Sequence, residues 1–211
     1  MRLLIAAMLP IACVVATSTA AAQIAVCEPY VGHPSFEVSF GRTLSDEELD
    51  NGLAEQTLDE DVRVKSGVGF TVAGAIPVGW SRSIRIEAAK TDLAVVRQPA
   101  YGVSDGVARR TRLGSATLKY ATASVTRAHV VVDRLCFETA LGVGGYRVSY
   151  ADRGKWLPGV TGMVGVHAQI WDHTSLIFGF HLHAIFQDGR APLASHLAFV
   201  VKPSAGVRVR F

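Results

Sequence analysis

Apolar and polar residues alternate along much of the chain, and the alternation is cleanest at its end. Leu197, Phe199, Val201, Pro203, Ala205, Val207, Val209 and Phe211 share one side of an extended chain. His196, Ala198, Val200, Lys202, Ser204, Gly206, Arg208 and Arg210 share the other. Side chains alternate faces along a strand, so one face is apolar and the other carries three cations. A strand with lipid on one side and a polar lumen on the other accounts for both faces and for the terminal aromatic.

The same period predicts seven earlier strands. Residues 35–42 place Phe36, Val38 and Phe40 outward, with Glu37 and Ser39 inward. Residues 62–76 place Val62, Val64, Val68, Phe70, Val72 and Ile76 towards lipid, with Arg63, Lys65, Gly67, Gly69, Thr71 and Ala73 inward. Pro77-Val78-Gly79 is a turn, and Trp80 beside it suits an interfacial girdle. Residues 83–96 set Ile84, Ile86 and Ala88 against Arg85, Glu87 and Ala89. Residues 111–127 alternate poorly, and Val130-Val131-Val132 fits either the fourth strand or the fifth. Residues 135–150 oppose Phe137, Thr139, Leu141 and Val143 to Glu138, Ala140, Gly142, Gly144 and Tyr146. Residues 160–171 and 175–187 follow, the latter with Leu176, Phe178, Phe180, Leu182, Ala184 and Phe186 outward. The expectation is all-β: a closed, antiparallel, eight-stranded transmembrane barrel over residues 35–211.

The start of the chain changes the picture only by adding export. Arg2, the apolar run 3–16 and the small residues up to Ala20-Ala21-Ala22 read as a signal peptide over residues 1–22. Residues 23–34 then form a periplasmic segment. The apolar run falls short of the ~20 residues that span a bilayer as a helix. Losing Arg2 takes the formal charge from +3 to +2, which gives no argument for nucleic acid. Twenty glycines and short alternating runs favour strands over helices. A secreted β-sandwich is the rival fold, but it needs no aromatic strand ends. Export permits a disulfide between the two mature cysteines, Cys27 and Cys136, with two free thiols as the alternative.

The run Cys136-Phe137-Glu138-Thr139-Ala140-Leu141-Gly142-Val143-Gly144-Gly145-Tyr146 resembles the fifth strand of small eight-stranded bacterial outer-membrane barrels. Residues 162–186, with the Trp171-Asp172-His173-Thr174-Ser175 turn, resemble the next pair in that superfamily. Val207, Val209 and Phe211 resemble the signal read by the barrel-assembly machinery. The resemblance covers residues 33–211. It implies the outer membrane of a Gram-negative bacterium, reached through the periplasm, with outer-membrane lipid and lipopolysaccharide as surroundings. The superfamily holds envelope stabilisers, adhesins, hydrophobic-solute channels and lipid A enzymes, so the fold leaves function open. Three functions are compatible with it. The first is a non-catalytic barrel whose external loops interact at the surface or stabilise the envelope. The second is a small hydrophobic-solute channel. The third is a lipid A 3-O-deacylase-like enzyme.

Candidate chemistry lies in the lumen and loops. The expected lumen charges are Glu37, Arg63, Lys65, Arg85, Glu87, Glu138, Lys202, Arg208 and Arg210, paired as a plug, with Glu37 a partner for Arg210. His167, His181 and His183 also face inward with Gln169. They offer a zinc set in principle, but polar filling of the lumen explains them, and no metal or cofactor is expected. Residues 43–61 form an acidic external loop holding Asp46, Glu47, Glu48, Asp50, Glu55, Asp59, Glu60 and Asp61. Leu44, Leu49, Leu53 and Leu58 there suit a short amphipathic helix. The next external loop, residues 97–110, ends with Arg109-Arg110 and is followed by Arg112, set against acidic neighbours or lipopolysaccharide phosphates. His173-Thr174-Ser175 has the His-x-Ser spacing of the deacylases, but Leu176 stands where their Asn would be. No catalytic residue is assigned.

Overall fold

The computed structural model describes residues 33–48, 60–79, 81–99, 111–132, 134–150, 153–186 and 197–211. Every element in them is a strand: β1 Ser35–Glu48, β2 Glu60–Pro77, β3 Arg82–Pro99, β4 Thr111–Val132, β5 Leu135–Tyr150, β6 Arg153–Trp171, β7 Thr174–Phe186 and β8 Leu197–Arg210. Each strand pairs with its sequence neighbours, and β8 returns to β1 to close the barrel. Closure is antiparallel, with Glu37 opposite Arg208 and Val38 opposite Val207. A closed ring pairs its backbone polar groups between strands and leaves no edge, so it tolerates lipid around it.

Alternation assigns the two faces. On β8, Ala198, Val200, Lys202, Arg208 and Arg210 are buried, while Phe199, Val207, Val209 and Phe211 are exposed. On β1, Glu37 and Ser39 are buried between exposed Phe36, Val38 and Phe40. On β7, Phe178, Phe180, Leu182 and Phe186 look out. The result is an outward apolar belt around an inward core, the inverse of a water-soluble sheet.

Cations bracket that belt. Exposed Arg82 and Lys90 lie on β3, and exposed Arg127 and Lys119 on β4, eight positions apart in each case (82 to 90, 119 to 127). Eight residues span about 26 Å along a strand. A tilt of ~40° reduces that to roughly 20 Å of height, close to the apolar band of an outer-membrane barrel.

The structure changes several expectations. β4 and β6 are longer than their alternation predicts, and Val130, Val131 and Val132 all belong to β4. The turn to β5 is correspondingly tight, and Arg134 adopts φ 65° within it. β1 runs to Glu48 and β2 starts at Glu60, so strands take both ends of the expected acidic loop. Leu44 is an exposed strand residue, not part of a helix. Asp50, Leu49, Leu53, Glu55, Leu58, Asp59, Trp80, Arg109 and Arg110 lie outside the described residues, as do residues 1–32.

The largest correction is in β2. Register shifts between Lys65 and Gly67, where Ser66 is the extra residue. A bulge of one residue moves every side chain beyond it to the other face. Val62 and Val64 are therefore fully buried in the lumen, and Arg63 and Lys65 take the opposite, outer face instead of the lumen.

Phe211 closes the ring at the end with the short turns. It is 72% exposed, and its backbone N–H donates to the Pro34 carbonyl at 3.0 Å. Arg210, by contrast, points inward. The expected result is that Phe211→Asp lowers the folded, heat-shifted fraction in membranes more than Arg210→Asp does. A charge on the lipid face costs up to about 2–4 kcal/mol at mid-depth and less near the interface. Equal yields from both variants and the parent would contradict this placement.

Candidate functional site in the barrel lumen

The lumen is built in two layers. Towards the long-loop end, Val62, Val64, Leu93, Val95, Ala116, Leu118, Val148, Leu157, Ile185, Ala198 and Val200 form one buried apolar cluster. Every strand from β2 to β8 contributes through its inward positions. Their near-zero exposure shows that they pack against one another without a water-sized gap. Small inward residues make the fit possible. A Cβ on Gly159 would lie 2.7 Å from Tyr146 Cε2 and 2.5 Å from the Ala184 carbonyl oxygen, so only glycine admits the Tyr146 ring there.

Towards the short-turn end the filling is ionic. Arg85 reaches across to Glu37, pairing Nη1 with Oε2 and donating from Nη2 to Oε1 at 2.8 Å. The same guanidinium donates to Glu87 Oε2 at 3.0 Å. Arg208 donates from Nη2 to Glu37 at 2.9 Å and from Nη1 to Glu138 at 2.8 Å. His167 Nε2 lies 2.5 Å from Glu138. The chain of contacts runs Glu87–Arg85–Glu37–Arg208–Glu138–His167, and every member is buried. Glu37 sits at its centre, shared by two arginines.

A second branch leaves Glu87. Tyr120 donates its hydroxyl to Glu87 Oε1 at 2.8 Å, and His181 Nδ1 stands 3.5 Å from the same oxygen. Lys202 donates to Thr71 and lies 3.5 Å from the Tyr120 hydroxyl. Tyr146 and His183 meet at 3.0 Å through Nδ1. Three carboxylates (Glu37, Glu87, Glu138) thus face three full cations (Arg85, Lys202, Arg208), so the formal charges cancel. The cavities left beside Arg208 are about 20 and 10 Å³, room for roughly one water each.

The expected lumen charges therefore separate. Glu37, Arg85, Glu87, Glu138, Lys202 and Arg208 come together. Arg210 is buried at the rim, where Nη2 donates to the Asp172 carbonyl at 2.6 Å, while Glu37 is held by Arg85 and Arg208. Arg63 and Lys65 are on the outer face. The histidines divide as well: His181 and His183 gather with Glu87, and His167 with Glu138. Tyr146 is inward as its alternation predicts, although its sequence position does not show its contact with His183, and Tyr120 was not anticipated. Only the even positions of an irregular β4 hint at Tyr120.

Two further candidates resolve differently. Cys136 is buried and held in a disulfide, and Cys27 lies outside the described residues. His173 is exposed in the β6–β7 turn, whereas Ser175 is fully buried. The two residues of the His-x-Ser spacing therefore lie in different surroundings, one at the surface and one in the lumen.

No protein-family model matches the chain, and no curated protein matches it. Solved structures do. The outer membrane protein OprG from Pseudomonas aeruginosa aligns with 86% of this chain and 96% of its own, at 14% identity and a TM-score of 0.55. Neisserial surface protein A aligns with 83% of this chain and 97% of its own, at 12% identity and a TM-score of 0.53. The fold is that of a small outer-membrane β-barrel. Identities this low carry the architecture and nothing about its chemistry.

Removing one partner from a buried ionic network strands the other, at about 3–5 kcal/mol. Arg85→Met leaves Glu37 and Glu87 short of a cation, and it should destabilise the barrel on that scale in urea titrations of vesicle-inserted protein. Adding Glu37→Gln should recover part of the loss, with a coupling of roughly 0.5–3 kcal/mol. Strictly additive losses would show that the two side chains do not meet.

Proposed function

We propose that the protein is a non-catalytic outer-membrane barrel that acts through its outer face and external loops, where it engages the phosphates of lipopolysaccharide. The observation that carries this reading is a row of cations above the apolar belt. Lys90 on β3 stands directly opposite Lys119 on β4. Lys119 stands opposite Arg147 on β5, and Arg147 opposite Trp156 on β6. Like charges directly across a sheet repel, so three in succession call for anions from outside. Among the described residues, Asp92, 3.9 Å from Lys90, answers one of them and leaves an excess. Phosphates on an outer-leaflet glycolipid supply the remainder, and Trp156 suits the same interfacial depth. The filled lumen supports the reading from the other side, because it leaves the surface as the place for interaction. Recognition of the terminal Val207, Val209 and Phe211 by the assembly machinery belongs to the same account.

A second reading, a small hydrophobic-solute channel, is favoured by the apolar layer of the lumen. Its packing opposes that reading. Flux of an apolar solute into proteoliposomes above protein-free vesicles would support the channel over the first reading.

The test of the first reading is lipopolysaccharide retention by purified barrel. Lys119→Glu with Arg147→Glu should lower retention about tenfold, the ~1.4 kcal/mol scale of a charge-assisted contact. Dephosphorylated lipopolysaccharide should lose the same amount on the parent protein. Unchanged retention in both arms would contradict the proposal.

A further inference from the structure

We infer that Glu87, His181 and His183 form a site for a divalent transition-metal ion of the zinc class inside the lumen. Their ligand atoms lie within 4.8 Å of one another, and all three residues are buried. His181 Nδ1 and Glu87 Oε1 are already 3.5 Å apart, near the ~3.3 Å that ~2.05 Å bonds set between ligands on a tetrahedral ion. Two imidazoles and one carboxylate are a donor set that suits zinc and its neighbours better than calcium or magnesium.

The independent observation is on His183. Its Nε2 is buried and has no hydrogen-bond partner among the described residues. Such an atom costs free energy unless something fills its lone pair or accepts its proton. The Tyr146 hydroxyl on the other side of the ring allows the first of these. The Tyr146 hydroxyl lies 3.4 Å from the Val160 carbonyl, to which it donates. Its oxygen is then free to accept from His183 Nδ1–H at 3.0 Å. That tautomer leaves Nε2 as a bare lone pair, the form that binds a metal. A hydrogen bond to the far nitrogen is the usual means of fixing a ligating imidazole.

Charge around the trio is accounted for as well. Arg85 holds Glu87 through Oε2, which leaves Oε1 turned towards His181 and Tyr120. Lys202 and Tyr120 face the same space. The full charges of the network already cancel, so an incoming dication is accommodated by displacing protons from Tyr120, His181 or Lys202, as metal binding generally does. The Tyr120 hydroxyl, 2.8 Å from Glu87 Oε1, stands beside the fourth position.

The test uses the full barrel refolded into detergent with Co²⁺, then with Zn²⁺. One Co²⁺ per chain with the intense visible bands of a four-coordinate site is expected, and Zn²⁺ should abolish the bands. Tyr146→Phe should weaken Zn²⁺ about 10–100-fold. His183→Gln should weaken it further, while His167→Gln should keep parental affinity. Heat-shifted mobility establishes that each variant is folded. If the trio variants fail to fold, the parent's cobalt spectrum with Tyr146→Phe and His167→Gln decides. Absence of the bands in the parent, or equal affinity in Tyr146→Phe and the parent, would overturn the site.

Discussion

Six full charges meet in the interior of a ring of eight strands, and the rest of the structure follows from keeping them paired. Eight strands enclose just enough space for their own side chains. A charge that points inward therefore cannot reach bulk water and must find a partner across the lumen. Glu37 answers this by serving two arginines from β3 and β8. Because both of Glu37's arginines come from other strands, the network ties β1 to β3 and β8 and supports the register of the ring as well as its interior. A shift of one residue on any contributing strand would turn a charge to the lipid.

The apolar layer complements the ionic one. Val62 and Val64 reach it only because of the bulge at Ser66, which sends Arg63 and Lys65 outward above the belt. One extra residue thus fills the core with valine and places two cations on the outer face. Backbone irregularity, ionic filling and the surface charge pattern are consequences of a single constraint, the division of each strand between lumen and lipid.

Much of this was legible in the sequence, for a physical reason. β5, β7 and β8 alternate strictly, and a period of two fixes every side chain once one is assigned. β4 hid its boundaries because small residues stand on both faces, with Ala121 and Ala123 outside and Ala116 inside, so burial leaves little contrast. The bulge in β2 was concealed by valines that keep even numbering on both sides of it. The Ser66-Gly67 pair was its only mark, since glycine within a strand often signals a bulge or close backbone approach. The partners of the lumen charges were not legible. Arg85 with Glu37, or Lys202 with Thr71, depends on which strands face each other across the closed ring, and alternation carries no information on that.

The paired charges and the packed valines seal the lumen, and conductance of the purified barrel in a planar bilayer tests this most directly. With Arg85, Arg208 and Lys202 bound to their partners and the valine layer packed above them, insertion should give no resolved current steps at either polarity in molar salt. Steady, ohmic steps from the intact protein would mean that the lumen is wet and that its charges do not need one another.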